Sequence, residues 1–341
     1  MKKLLTIVIA SYNKEDMLPR CLNSLIISQE LMEKLQVLVV NDGSKDKTLE
    51  IAQHYQELYP YCFTAIDKEN GNYGSVMNKA ILLAEGKYFR TLDADDWYDP
   101  NAFSEFIKDL ENTDADMIIS QRLIYNSSNK KVFSFKPLPD NIEKYSDLNP
   151  TDIDWNNPSI RSNLNVPHIT YKTSIIRESG LKWIEKICYT DTMYDFWPLR
   201  LVKKVRFVPL NVYVYLEGDD EQSMSPQNLR KNFSHFQQVA QALISNFNEN
   251  IDESNSMYPV QIKFLWQIMS FIYPFLLRES KYDKQVMNLH RQYIKIPEIA
   301  KKVNQKTFYG IHYLHTSLSG ELPLSFKIMR YISITKRRLF K

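Results

Sequence analysis

The sequence predicts an α/β fold, a doubly wound and mostly parallel sheet, followed by a mainly α-helical module. Two observations predict it. Over the first 120 residues short apolar runs alternate with stretches of helical period. After Pro226 that alternation stops, the pattern turns helical, and the charge changes sign. Runs that are apolar on both faces suit a parallel sheet covered on both sides, and strands alternating with helices suit βαβ units.

The strands come first. Residues 4–10 form a continuous apolar run ending at Ser11-Tyr12-Asn13, and residues 36–40 (QVLVV) form a second ending at Asn41-Asp42-Gly43-Ser44. Residues 61–66 are a weaker third, residues 87–92 a fourth ending at Asp93, and residues 117–120 a fifth. Helices are expected between them over residues 15–27, 46–58 and 73–85, the last closed by Gly86 as a C-cap. Residues 126–165 hold five acidic residues and four prolines and read as a loop-rich excursion. Residues 205–208 and 212–216 read as two more strands.

Charge divides the chain. Residues 226–341 carry 17 Lys and Arg against 7 Asp and Glu, so the first 225 residues are net acidic in a chain of +3. Such asymmetry points to two modules, 1–225 and 226–341, with different partners. The longest apolar stretch, residues 264–277, contains Gln267 and Pro274 and is too short to span a bilayer. Residues 1–10 imitate a signal peptide but lack a small-x-small cleavage site, so a buried first strand explains them better. Cys21, Cys62 and Cys188 have neither metal-ligand nor disulfide spacing and fit reduced thiols and a cytoplasmic address. No nucleic-acid partner is expected.

Ligands of an open α/β sheet bind outside the carboxyl ends of its strands. Here those ends carry Ser11, Tyr12 and Asn13, then Asn41 and Asp42, then Asp93-Ala94-Asp95-Asp96. Three carboxylates within four residues repel one another unless a cation, hydrogen bonds or water compensates. Hard divalent ions take oxygen ligands and accept phosphate oxygens beside them, so Mn²⁺ or Mg²⁺ held there would neutralise a diphosphate leaving group. The alternative is an acidic loop with a helix cap at Asp99-Pro100.

These segments, in order, are TIVIASYN, VLVVNDGSKDKT and ENGNYGSVMNKAILLAEGKYFRTLDADDWYDP. Their order and spacing resemble a family 2 glycosyltransferase with the GT-A fold, clearly to about residue 120 and more faintly to about 225. The resemblance implies a nucleotide-sugar donor, most often a UDP-sugar, and gives residues their roles one by one. Asp42 would read the nucleobase edge and Tyr12 would pack near the base. Asn41 stands where the family often has another Asp. Asn70, Gly71, Gly74 and Asn78 would line the donor pocket, with Met77 where the family commonly has Arg. Asp93 would contact the nucleotide sugar or metal-bound water, with Ala94 beside it, and Asp95 would coordinate the metal.

An acceptor hydroxyl also needs a base. The family places a carboxylate about 100 residues after the metal motif, often in a Glu-Asp pair. Here ICYTDTMYDFW offers Asp191, preceded by Thr190, with Asp195 as rival on the same helical face. Direct displacement by such a base inverts the anomeric centre. His168 either touches the acceptor or diphosphate or is a satisfied histidine at a strand start, and residues 217–225 form either a flap over the donor or a loop. The Gln-x-x-Arg-Trp motif of polymerising members is absent, which favours single-sugar transfer. The acceptor would be a growing surface polysaccharide, a lipid-linked glycan or a glycoprotein glycan. The basic, aromatic segment 322–341 fits either peripheral contact with an anionic membrane face or a solvated helix end. Two other functions remain open: a non-catalytic subunit of the same fold, and a metal-dependent nucleotidyltransferase. The latter would want a basic phosphate loop near the first strand, where Lys14 stands alone.

Overall fold

The computed structural model describes residues 2–218, 228, 231–276 and 283–305. The chain divides into two units, Met1–Asn232 and Phe233 onward.

The first unit is built on one mixed sheet. Strands β1 (Leu5–Ser11), β2 (Leu35–Asp42), β3 (Phe63–Lys68) and β4 (Tyr88–Asp93) alternate with helices α1 (Leu18–Asn23), α2 (Gln29–Met32), α3 (Thr48–Leu58) and α4 (Asn72–Leu83). Then come β5 (Trp97–Tyr98), α5 (Pro100–Leu110), β6 (Met117–Asn126), β7 (Lys131–Ser134), β8 (Asp147–Leu148), α6 (Pro158–Ser162), β9 (Ile169–Lys172), α7 (Thr173–Glu178), α8 (Asp191–Phe196) and β10 (Val205–Glu217). The strand order is β3-β2-β1-β4-β9-β6-β10-β5, with β7 on β6 and β8 on β10. Pairing is parallel from β3 through β4 and again between β6 and β10. The short strand β9 runs antiparallel between β4 and β6, so the fifth expected strand does not extend the parallel sheet directly.

Alternation along the strands sorts their side chains. Ile7, Ile9, Val37 and Val39 join a buried cluster with Leu22 of α1, Tyr55 of α3 and Phe106 of α5. The opposite face of β1 and β2 is covered by α4.

Three local expectations need correction. The first helix is six residues long rather than spanning 15–27. The chain enters it through a turn in which Leu18 N–H donates to Lys14 at 2.9 Å, and Pro19 sits in its first turn. Ser24 ends it by donating its hydroxyl back to Cys21 O at 2.6 Å. Gly86 is not a left-handed C-cap. A Cβ there would stand 2.4 Å from Thr6 N, so the glycine serves the close approach of the chain to β1. Residues 205–216 form one strand, not two. Its register with β6 shifts between Val208 and Tyr213, around Pro209, which has no N–H to give to a ladder.

The second unit, among described residues, holds α9 (Phe233–Glu249), α10 (Tyr258–Leu276), α11 (Asp283–Tyr293) and α12 (Pro297–Gln305). Leu243, Ile244, Leu265, Met269 and Val286 are buried, and Tyr293 donates to Ala240 O at 2.9 Å. The apolar stretch at 264–277 falls largely in α10, and no described helix is long and apolar enough to cross a membrane. Residues 219–225 of the expected flap and the whole basic segment 322–341 lie outside the described residues.

Candidate active site

The ends of β1, β2 and β4 meet because these strands are neighbours in register: Ala10 pairs with Val40 and Asp93, and Ser11 with Asn41. Asn13 adopts a left-handed conformation, φ 51°, open to asparagine at little cost. Its N–H donates to Ser44 Oγ at 2.9 Å and its Oδ1 accepts from Lys45 N at 2.9 Å, tying the two strand ends together. Tyr12 beside it is 47% exposed, which leaves its ring available at the rim. Ser11 is buried and its hydroxyl has no partner.

Asp42 is a hub. Its Oδ1 accepts from Gly71 N at 3.0 Å and from Lys68 Nζ at 2.6 Å, and its carbonyl accepts from the Asn70 amide at 2.9 Å. Asn41 donates to Asp67 at 2.7 Å and accepts from Ser44 N at 3.2 Å. The start of α4 is thus fastened to the end of β2. Gly74 and Asn78 face a different neighbour. A Cβ on Gly74 would fall 2.1 Å from Ile184 O, and Asn78 donates to Trp183 O and accepts from Trp183 N, both at 2.9 Å. These two residues hold residues 183–185 against α4. Met77, next to them, is fully buried.

The carboxylates gather after β4. One oxygen each from Asp93, Asp95 and Asp96 lies within 4.8 Å of the others. Their environments differ. Asp96 is buried, accepts from Tyr213 OH at 2.5 Å and from Leu216 N at 2.7 Å, and so anchors the loop to β10. Asp95 is more open and pairs with Lys14 Nζ at 2.9 Å, while its carbonyl accepts from Arg20 at 2.7 Å. Burial, then the charges of Asp95 and Asp191, push Asp93 up to about 7. Ala94 turns into the core, so only its backbone can serve a ligand. Asp99 is separate: it caps α5 by accepting from Asn101 N at 3.1 Å and Ala102 N at 2.9 Å. The helix cap and the acidic cluster therefore coexist.

Asp191 opens α8 and brings its charge to bear on Asp93. Its side chain is exposed although protein crowds around it, as on a concave wall, and that crowding raises its pKa. Asp195, one turn on, is buried, and burial followed by the charge of Asp191 raises its pKa well above the usual range. A sealed carboxyl cannot meet an incoming hydroxyl, so the two rivals part by exposure. His168 is fully buried and its Nδ1 lies 2.9 Å from Ser120 O. A carbonyl only accepts, so Nδ1 carries the hydrogen. Burial, then the Arg122 charge, keeps the ring neutral.

Three residues of the site carry little signal in the sequence. Lys68 ends β3, and its place at a polar strand end is the one local sign of it. Lys14 reads as an isolated base, although it pairs with Asp95. Tyr213 lies in an alternating Val/Tyr strand that points to nothing but a strand.

A mixed sheet with these strand ends and an Asp-x-Asp pair at its centre defines the GT-A class of nucleotide-sugar-binding folds. Residues 6–164 match the family described as glycosyl transferase family 2. It is similar to an uncharacterized glycosyltransferase of Mycoplasma pneumoniae, the MG025 homolog, at 39% identity over 134 residues, 39% of this chain and 44% of that one. A second M. pneumoniae protein, the MG060 homolog, matches at 30% over 210 residues, 60% of this chain and 65% of the other. The chain thus spans less than two thirds of the length of these curated relatives. Among solved structures, S. aureus TarS residues 1–349 in complex with UDP-GlcNAc superposes with TM-score 0.66 at 16% identity, covering 98% of this chain and 92% of that one. The mannosyltransferase PcManGT from Pyrobaculum calidifontis, in complex with GDP-Man and Mn²⁺, gives 0.50 at 12%, covering 97% and 87%. At these identities the solved structures show the fold.

Proposed function

We propose that this protein is an inverting, metal-dependent glycosyltransferase. It moves a sugar from a nucleoside diphosphate sugar, a UDP-sugar by preference, to a hydroxyl of a surface polysaccharide, a lipid-linked glycan or a glycoprotein glycan. The observation that carries this reading is the exposed Asp191 carboxylate within electrostatic reach of Asp93. A base and a metal-binding pair close enough to act on one another's charge suit a single displacement. A non-catalytic subunit has no need of that pairing.

In this reading Asp42, Asn41, Asn70 and Gly71 shape the base and ribose site, and Tyr12 packs on the base. Ser11, Asn13 and Ala94 contribute backbone, while Gly74 and Asn78 act indirectly by holding residues 183–185. Asp93 and Asp95 offer the oxygen ligands that Mn²⁺ or Mg²⁺ favours, and Asp96 keeps their loop in place. The bound ion supplies charge neutralisation for the diphosphate. Lys14 balances Asp95 otherwise. Asp191 accepts the proton of the acceptor hydroxyl, and its raised pKa makes it a stronger base than a solvated carboxylate. Attack from its side, opposite the leaving group, inverts the sugar. UDP-GlcNAc in the TarS complex supports a uridine donor. The excess of basic residues after 226 supports a cytoplasmic enzyme in peripheral contact with the inner membrane face.

A melting screen of nucleotides and nucleotide sugars with and without Mn²⁺ tests the reading, since a ligand raises the stability of the state it binds. UDP or a UDP-sugar should raise Tm only with the ion present. No shift from any nucleoside diphosphate would sink it.

A further inference from the structure

Arg122 lies on β6, paired in register with Tyr213 of β10, the residue whose hydroxyl holds Asp96. Its guanidinium carbon stands 4.1 Å from the Phe135 ring centroid and 5.2 Å from that of Tyr215. The residue is partly exposed, yet its Nε is sealed from solvent and has no hydrogen-bond partner. Among the described residues its side chain makes no ion pair or hydrogen bond, and the two carboxylates whose charge reaches it are already engaged, Asp96 by Tyr213 and Leu216 and Glu217 by Asn126.

The terminal nitrogens of other arginines in this unit have partners. Arg206 pairs with Asp109 at 2.7 Å and Asp147 at 3.0 Å, and buried Arg90, whose Nε is likewise sealed, donates through its Nη atoms to Ser120 Oγ, Thr170 Oγ1 and Pro167 O. Half-burying a cation with no partner costs free energy, and stacking alone returns little of it. A guanidinium held over a ring, with open terminal donors, suits a two-oxygen anion.

The base and ribose end of the donor site lies at β1 and β2, whereas β6 stands two strands beyond β4 on the other side, roughly 10 Å away at ordinary strand spacing. The diphosphate would lie nearer, at Asp93 and Asp95, where the ion and Lys14 already supply positive charge. In the glycosyltransferase reading the acceptor enters beside Asp191, whose helix α8 reaches β4 and β9 through Tyr194. Resting on the glycosyltransferase reading, we propose that Arg122 selects an anionic acceptor: it binds a phosphate or carboxylate group carried next to the hydroxyl that receives the sugar.

The test uses full-length protein saturated with UDP and Mn²⁺, so that phosphate cannot report on the donor site. Binding of glycerol 1-phosphate, glucuronate and the neutral counterparts glycerol and glucose is followed by saturation-transfer NMR at low ionic strength. The anionic probes should bind and the neutral ones should not. Arg122→Gln should weaken the anionic probes by about 10-fold or more, the scale for hydrogen bonds to a charged group, while UDP affinity stays unchanged. Arg122→Lys should retain part of the binding. Preference for glycerol 1-phosphate assigns a phosphorylated acceptor, and preference for glucuronate assigns an acidic sugar. Equal binding of charged and neutral probes would overturn the proposal, as would anion binding that survives Arg122→Gln. A variant that loses UDP affinity but keeps the probes would move Arg122 to the donor site. Failure of the unaltered protein to bind UDP strikes the functional reading instead, and the probe titration without UDP still reads Arg122.

Discussion

The two flanks of β4 are built differently. On one side β1, β2 and β3 run parallel in an uninterrupted series, and their ends are knitted by hydrogen bonds: Asn13 to Ser44 and Lys45, Asn41 to Asp67, Asp42 to Asn70 and Gly71. On the other side β9, β6 and β10 mix directions, and sealed polar atoms there lack partners: Arg122 Nε, His168 Nε2, Thr190 Oγ1 and Asp195 Oδ1. Ser11 Oγ and Tyr73 OH on the first flank, and Arg90 Nε and Thr91 Oγ1 on β4 itself, are also unpartnered. A native fold leaves few such groups, and each calls for a reason. The first flank is thus preorganised for one kind of ligand. The second is tied less completely within the protein.

The largest test falls on the second flank. Asp191→Asn should lower transfer by roughly 10²–10⁴-fold, the range for a lost general base, while UDP binding measured by melting stays intact. Loss of UDP binding with it would mean that α8 belongs to the donor side and that the division drawn at β4 is wrong.

Asp95→Asn tests the centre. Turnover should fall by about 10²–10³-fold, as when one preorganised electrostatic contact is removed, and dependence on Mn²⁺ should weaken. Tm should hardly change, because Asp95 is an open side chain paired only with half-exposed Lys14. Full activity of the variant in the presence of chelator would refute the metal role.

Gly74→Ala separates packing from ligand contact on the first flank. Alanine favours a helix by itself, but here the added methyl would meet the Ile184 carbonyl at 2.1 Å, a backbone atom that cannot step aside alone. Overpacking should win and destabilise the protein by about 1–3 kcal/mol. A variant with unchanged Tm and weakened UDP binding would return Gly74 to the donor pocket.

Legibility in the sequence followed the same division. The first flank could be read because each strand is a short apolar run that stops at Asn, Asp or Ser, a local pattern. The weak third strand is legible too, but Lys68 at its end is not, because a lone lysine at a strand end is as common on a solvated surface as in a site. The second flank depends on long-range pairing. Nothing local says that residues 169–172 slip between β4 and β6, or that Tyr213 reaches Asp96 across 117 positions. Asp191 and Asp195 have the same spacing logic in sequence, and only burial tells them apart.

The smallest effect is expected at Asp195, and it comes from that burial. Its folded pKa lies above the unfolded value of about 3.9. Between those values the folded protein keeps a proton that the unfolded chain has released, so this carboxyl costs stability as pH rises above about 4. Asparagine has nearly the same shape and can still accept the bond that Val166 N–H gives the carboxylate, but it has no proton to lose. Asp195→Asn should therefore match the unaltered protein in Tm near pH 4 and exceed it by a few degrees at pH 8, with transfer activity close to unchanged. Paired melts at the two pH values and one activity assay suffice. If the variant instead loses activity on the scale expected for Asp191→Asn, the base lies one helical turn further along α8.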